Sequence, residues 1–251
     1  MIVVFSLTIF IFQELNRYGA AERVEGSSLL FNNDGYPRDC SEAQITCSGT
    51  ANRIRKYYIL PEGSSKPFQA SCDQEIDGGG WTVIQRRLDG SVNFTRNWED
   101  YRDGFGFLNR EFWIGNEKLS YLTNQKRYTL RIDIKNSTNH EMFLSYDDFS
   151  TSDEWGKYQL TRLGNFTGNT DFNDDFMRIH LGMKFSTFDN NNIDKQDGNC
   201  TETLRAGWWY NGCDDTNLNA EYHSINLRNR QMEDQDNNLR FTEMKISPTE
   251  R

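Results

Sequence analysis

Apolar and polar positions alternate most cleanly at Tyr128–Ile134, where Tyr128, Leu130, Ile132 and Ile134 share one face. That period of two predicts a half-buried β-strand. His140–Tyr146 follows closely enough to be its hairpin partner, and Tyr158–Leu163 reads as a further strand. Nearer the front, Tyr57–Leu60 runs into Pro61-Glu62-Gly63, a strand entering a turn. Gly78-Gly79-Gly80 precedes Trp81–Gln85; the glycines allow positive φ and the run after them predicts a strand. The glycine run neither ends in G-K-[ST] nor opens a helix, which excludes a phosphate loop. Glu117–Leu122 predicts a short helix, and Trp98–Tyr101 with Phe105–Phe107 predicts aromatic core around a tight glycine turn. The acidic run Asp171–Asp175 reads as a solvated turn.

Met1–Phe12 is almost wholly apolar. As a helix it spans roughly 18 Å, short of the roughly 30 Å bilayer core, so membrane insertion is not expected. Residues 1–21 read as a signal peptide, with Gly19, Ala20 and Ala21 offering a cleavage site. Residues 22–38 form a short polar linker without heptads or Gly-X-Y repeats, and residues 39–251 form the domain.

Composition narrows the function classes. Aromatics make up 14% of the 251 residues while all apolar residues reach only 36%, which predicts a core built on large rings. The net charge of −9 comes with no Lys/Arg block, which argues against nucleic acid and anionic membrane surfaces. Five cysteines, none in C-x-x-C, suit a bridged secreted domain rather than a zinc ribbon or a thioredoxin. Sequons at Asn93, Asn136 and Asn165 fit glycosylation outside the cell; Asn199 has Cys200 as its middle residue. The three histidines, His140, His180 and His223, lack H-E-x-x-H spacing, and no G-x-S-x-G occurs, so no enzymatic activity is expected.

Candidate chemistry concentrates in Phe185–His223. Asp189–Asp197 is an oxygen-rich loop of the kind that ligates a hard cation such as calcium. It is not an EF-hand, because Ile193 holds the fifth position and Cys200 the twelfth. A bridge between Cys200 and Cys213 would close about a dozen residues, a constraint of roughly 3 kcal/mol. The block Trp208–Tyr210 adds apolar ring faces beside amides and carboxylates, a combination suited to sugars or acetyl groups. If Trp208 and Trp209 lie on a strand they alternate faces, which puts at least one in the core.

These motifs carry a resemblance. FST-x-D, the GNC ending in Cys200, GWWY-x-x-C and NLN-x-x-Y resemble the signature of the fibrinogen C-terminal, or fibrinogen-related, domain. Further matches are DC at Asp39–Cys40, CD at Cys72–Asp73, GGWTVIQRRLDGSVNF at Gly79–Phe94, W-x-x-Y-x-x-GFG at Trp98–Gly106, EFWIGN at Glu111–Asn116 and TEMKISP at Thr242–Pro248. Ficolins, tachylectins, angiopoietins, tenascins and fibrinogen share this domain, so membership alone does not choose a ligand. The resemblance implies an α+β fold with a central antiparallel sheet and a loop-rich, calcium-binding C-terminal subdomain. It pairs Cys40 with Cys72 and Cys200 with Cys213. Cys47 is then a free thiol or a bridge to a second chain, and hence a route to an oligomer; the alternative is that it replaces Cys40 as the partner of Cys72.

The same resemblance implies a calcium site of the form D-x-D followed by carbonyls. Asp189 stands at the first carboxylate, Asn191 replaces the second with a neutral amide, and Ile193 and Lys195 bound the carbonyl stretch. Losing one anion weakens such a site. The alternative is an Asx-rich loop held by its own side chains. In sugar-binding members an acetyl group sits beside the second disulfide, at a cis peptide. That peptide corresponds to Gly212–Cys213, with Tyr210, Asp214, Asn217, Tyr222 and His223 as lining. Leu204 and Asp214 stand where acetyl-binding members often have Tyr and His, and Ser224–Asn238 lacks the family's aromatic run. Asp214 and Asp215 disfavour anionic sugars. The expected function is non-catalytic, calcium-assisted recognition of acetylated glycans in innate immunity. The alternative is recognition of a cell-surface glycoprotein or another protein, as in angiopoietins or tenascins.

Overall fold

The computed structural model describes residues 35–46, 54–169, 175–193, 205–212, 216–222 and 239–250. Its elements in chain order are α1 (Cys40–Thr46), β1 (Ile54–Ile59), β2 (Phe68–Asp73), β3 (Trp81–Arg87), α2 (Trp98–Asp103), β4 (Phe105–Gly106), β5 (Phe112–Trp113), α3 (Asn116–Gln125), β6 (Tyr128–Asn136), β7 (Glu141–Thr151), β8 (Leu160–Leu163), β9 (Phe166–Gly168) and β10 (Leu239–Pro248). The strands form one sheet ordered β1-β2-β3-β10-β6-β7-β8. β5 joins beside β3, β4 pairs β5, and β9 pairs β7. Every pairing is antiparallel. Among the described residues helices are few and short, so the α+β class with a central antiparallel sheet holds.

The alternation read at Tyr128–Ile134 is the buried-and-half-buried pattern of β6, and β7 is its hairpin partner. Gly78, Gly79 and Gly80 all take positive φ before β3, as that turn requires. Trp98 and Tyr101 are core as expected, and Gly104 and Gly106 turn the chain with positive φ, but Trp98–Asp103 is helical and Phe107 is exposed rather than core. Asn97 caps α2 by accepting the Asp100 N–H at 2.9 Å, Glu99 and Asp100 occupy its acidic first turn, and Gly104 ends it with φ 92°.

Strand β3 is buried along its whole length, including Arg86 and Arg87, because neighbours flank it on both sides and both faces are covered. Its charges are paired inside. Arg86 meets Glu243 at 2.5 Å, and Lys245 lies 2.7 Å from Asp73 and 2.6 Å from Asp133. This ionic row crosses β2, β3, β10 and β6, and fixes which residues may stand opposite one another. An unpaired partner inside it would be strongly destabilising.

The core is built on rings, with Phe185 as the hub. Its centroid lies 5.3 Å from Trp209, 5.3 Å from Tyr101, 5.9 Å from Trp113 and 6.4 Å from Trp98. Edge and tilted contacts at these distances are the favoured arrangement of aromatic quadrupoles. The Cys40–Cys72 disulfide ties α1 to β2, with Cα atoms 5.6 Å apart.

Candidate functional site

The site is built from three irregular segments, residues 185–193, 205–212 and 216–222, laid over the ring cluster beside β3. Gly207 permits the closest approach: a Cβ there would lie 2.7 Å from both the Phe185 and Tyr101 rings. The strap 205–212 then runs beside 185–193 through paired Ser186 and Trp208 backbone bonds of 2.9 and 3.1 Å.

Both tryptophans of the strap are buried. The Trp209 indole donates to the Tyr158 carbonyl at 2.7 Å, while Trp208 packs edge-on against His180. At least one of the two was expected in the core, and both are there, because the strap is an irregular cover lying on the core rather than a sheet edge with an outer face. His180 accounts for the fit of this corner. Its Nδ1 lies 2.7 Å from the Trp209 carbonyl and its Nε2 lies 3.4 Å from the Trp208 indole nitrogen. Burial lowers its pKa to about 4, against the raising effect of its backbone hydrogen bonds.

Tyr210, expected to line a pocket, is placed inside, with 2% of its surface exposed. Its hydroxyl donates to the Ala206 carbonyl at 2.5 Å and accepts from the Asn217 amide at 2.8 Å. Burial raises its pKa far above that of an ordinary phenol. Asn217, also expected as lining, is buried as well; its Oδ1 accepts the Asn219 N–H at 2.9 Å. Asn219 in turn donates to the Gly207 carbonyl at 3.0 Å. The two asparagines of NLN therefore lace the strap to the 216–222 segment.

That segment is held from beneath by β3. Gln85 donates to the Leu218 carbonyl at 2.9 Å, and Arg87 donates to the Ala220 carbonyl at 2.6 Å. Arg87 stacks on Phe94 at 3.9 Å and faces Glu111 at 3.6 Å. Glu111 accepts the backbone N–H groups of Leu88, Asp89, Gly90 and Val92 at 2.8 to 3.2 Å. Tyr222 closes this side, half-buried, with its hydroxyl 2.7 Å from the Leu88 carbonyl and 2.6 Å from that of Arg240. Sequence reasoning missed Gln85, Arg87, Glu111 and His180. Their partners are distant in the chain, and no local pattern marks a buried charge.

In the 185–193 segment, Asp189 is exposed and its Oδ1 accepts from the Trp98 N–H at 2.9 Å and the Thr187 hydroxyl at 2.7 Å. The Asn191 side-chain oxygen accepts the Ile193 N–H at 3.0 Å. Asn192 donates to the Phe185 carbonyl at 2.9 Å. These are Asx-type closures of the loop on itself. The donors suit a hard cation in kind, all being oxygens, but the described loop supplies one carboxylate. Among the described residues no three His, Cys, Asp or Glu side chains converge as a metal site. Lys195 and Cys200, like Cys213, Asp214, His223 and Cys47, lie outside the described residues, as does the Gly212–Cys213 peptide.

Of the sequons, Asn93 is exposed and accepts the Thr95 N–H at 2.8 Å. Asn136 accepts the Thr138 and His140 N–H groups in the β6–β7 hairpin. Asn165 is exposed, and its amide nitrogen donates to Asp147 at 2.9 Å.

A central antiparallel sheet that carries a ring-cored, polar-laced loop platform defines a domain of the fibrinogen-like globe class. The fibrinogen-like globe domain of human ANGPTL2 superposes with a TM-score of 0.75 at 37% identity, covering 84% of this chain and 99% of that one. A lamprey fibrin D-dimer, complexed with the peptide ligand Gly-His-Arg-Pro-amide, gives 0.71 at 33% identity over 98% of this chain and 84% of that one. Fibrinogen-like protein A of Apostichopus parvimensis is 39% identical over 82% of this chain and 73% of its own length. Other curated relatives are longer, and the chain spans 34% to 48% of their length. The profile of fibrinogen beta and gamma chains, C-terminal globular domain, matches residues 36–249, and the chain belongs to that family.

Proposed function

We propose that this chain is a non-catalytic recognition domain acting outside the cell, and that it binds a protein partner through the loop platform. The observation that carries this reading is the burial of Tyr210, Asn217 and Asn219 as mutual braces. They make the platform stiff instead of lining a hollow for a monosaccharide. A preorganised surface suits a large partner, because little ordering remains to be done on binding. Kinship supports the same class, through the ANGPTL2 globe and the fibrin complexed with a peptide. The Cys40–Cys72 disulfide supports an oxidising compartment, in which Asn93, Asn136 and Asn165 become glycan acceptors.

Recognition of acetylated glycans is the second reading, favoured by one observation. Gly212 is half-exposed and lies two residues after the buried Tyr210 brace, which leaves its backbone within reach of a ligand. Gly212, Cys213, Asp214, Tyr222 and His223 would then line the site. Calcium at Asp189, Asn191 and the carbonyls from Ile193 to Lys195 would stiffen it. The test is one preparation of the whole chain on an array of extracellular proteins and on a glycan array, each with and without EDTA. Saturable capture of a protein alongside a clean glycan array is the expected result. EDTA-sensitive binding of N-acetylhexosamines with no protein captured overturns it in favour of the second reading.

A further inference from the structure

Trp155 is 95% exposed, an unusual placement for the largest apolar side chain. It is also held out by a rigid turn. The 152–159 hairpin is closed by Ser152 N–H to the Gln159 carbonyl at 2.9 Å, Tyr158 N–H to the Asp153 carbonyl at 3.0 Å, and Gly156 N–H to Asp153 Oδ1 at 3.1 Å. Lys157 and Tyr158 both take positive φ, 58° and 47°, an arrangement that non-glycine residues keep only when the surroundings impose it. A second exposed ring, Phe188 at 44%, stands on the neighbouring turn. Trp98 joins the two turns. Its indole donates to Glu154 at 3.0 Å, its backbone N–H donates to Asp189 at 2.9 Å, and its ring stacks on Tyr158 at 5.5 Å. The Phe185 N–H also reaches the Lys157 carbonyl at 2.9 Å.

The charge around these rings is acidic. Glu99, Asp153, Glu154 and Asp189 belong to the turns and to α2. Of the cations there, Arg102 is paired with Asp103 at 2.8 Å, and the Lys157 ammonium lies 5.8 Å over Trp98. The bond to Asp103, together with the fields of Glu154 and Glu99, raises the Arg102 guanidinium above its ordinary value, so those carboxylates act on one shared surface. An indole face attracts cations, most strongly where carboxylates stand beside it.

We propose that Trp155 and Phe188 form a docking surface for a cationic segment of a partner protein, with an Arg or Lys side chain stacked on the Trp155 indole. The inference takes its partner class from the protein-recognition reading above, and it adds the chemistry of that partner and the residue that anchors it. Tryptophan is one of the residue types enriched among the few that carry most of the energy of a protein interface.

The test uses the intact chain and two labelled synthetic peptides, one alternating Arg with Gly and one alternating Glu with Gly, followed by fluorescence anisotropy. The Arg peptide binds and the Glu peptide does not. Trp155→Ala weakens Arg-peptide binding by about tenfold or more, while Trp155→Phe keeps part of it. Neither variant moves the thermal midpoint, because the side chain contacts little of the fold. Equal affinity for wild type and Trp155→Ala overturns the proposal, as does failure of the wild type to bind the Arg peptide. Trp155-dependent retention of an N-acetylhexosamine conjugate in place of the peptide also overturns it. A blank protein array is failure of the broader reading, whereas an array of partners unchanged by Trp155→Ala is failure of this surface alone.

Discussion

His180 is fully buried behind the strap, and both of its ring nitrogens have assigned work. Nδ1–H donates to the Trp209 carbonyl, which leaves Nε2 as the acceptor facing the Trp208 indole N–H. A proton on Nε2 would turn the acceptor of the Trp208 indole N–H into a second donor, and burial penalises the added charge more than the backbone bonds to Trp209 and Thr216 favour it. Burial therefore lowers the folded-state pKa from 6.5 to about 4. Between those values the unfolded chain binds a proton that the folded chain refuses. The contribution of neutral His180 is complete above pH 6.5 and is lost as pH falls toward about 4. At about 1.4 kcal/mol per pH unit, the gap amounts to ~3 kcal/mol. That is a large share of a typical folding free energy of about 5–15 kcal/mol.

Urea unfolding followed by tryptophan fluorescence, repeated at steps from about pH 7 to about pH 4, reads this loss directly. The control is His180→Asn, whose amide can still donate toward the Trp209 carbonyl and cannot titrate. It should be less stable at neutral pH by ~1–3 kcal/mol, through lost contacts and one lost bond. Across the window it should lose less stability than wild type, by the His180 contribution of ~3 kcal/mol. Carboxylates act alike in both proteins: burial pushes Asp73 up, yet Lys245 at 2.7 Å holds it below its ordinary 3.8, so its loss, centred below the window, cancels in the difference. If His180→Asn loses as much stability as wild type between the same two pH values, the assignment to His180 is refuted.

Glu111→Gln keeps the shape but halves the acceptor capacity for the loop amides and removes the charge facing Arg87, so a loss of ~3 kcal/mol is expected; a thermal melt within a degree or two of wild type would contradict this. Replacing Cys40 and Cys72 together by Ser frees a span with sequence separation 32. The chain-entropy estimate is then ~4 kcal/mol, measured by denaturant titration, and a change below ~1 kcal/mol would show that the bridge constrains little. Asn191→Asp restores a second carboxylate two positions from Asp189. Calorimetry should show calcium affinity raised by about tenfold or more, and an unchanged affinity would remove Asn191 from the ligand set.

Local patterns made the strands legible. The alternation at Tyr128–Ile134 and the glycine-led run at Trp81 map onto β6 and β3. Helix α2 was equally open to reading, since Asn97, Glu99, Asp100, Arg102 and Gly104 are start and stop signals in order. Dense aromatics at Trp98 and Tyr101 obscured it. The direction of Tyr210 was not open to reading. The strap follows neither a period of two nor of 3.6, so only tertiary contact decides that its phenol meets Ala206 and Asn217. Arg87 and Lys245 were hidden for another reason. Charged residues default to the surface, and the partners that keep these two inside, Glu111 and Asp73, are remote in sequence.

The strand nearest the end of the chain, β10, lies between β3 and β6 and is the seam along which the sheet is joined. A ribosome releases β3 and β6 long before Leu239–Pro248 emerges, and each then waits with an unsatisfied edge toward the missing neighbour. Such edges invite wrong pairings, and contacts so distant in sequence form slowly. Nascent chains should therefore depend on chaperones until β10 has emerged. Deleting Leu239–Pro248 should leave the rest of the sheet unable to assemble rather than trim it by one strand.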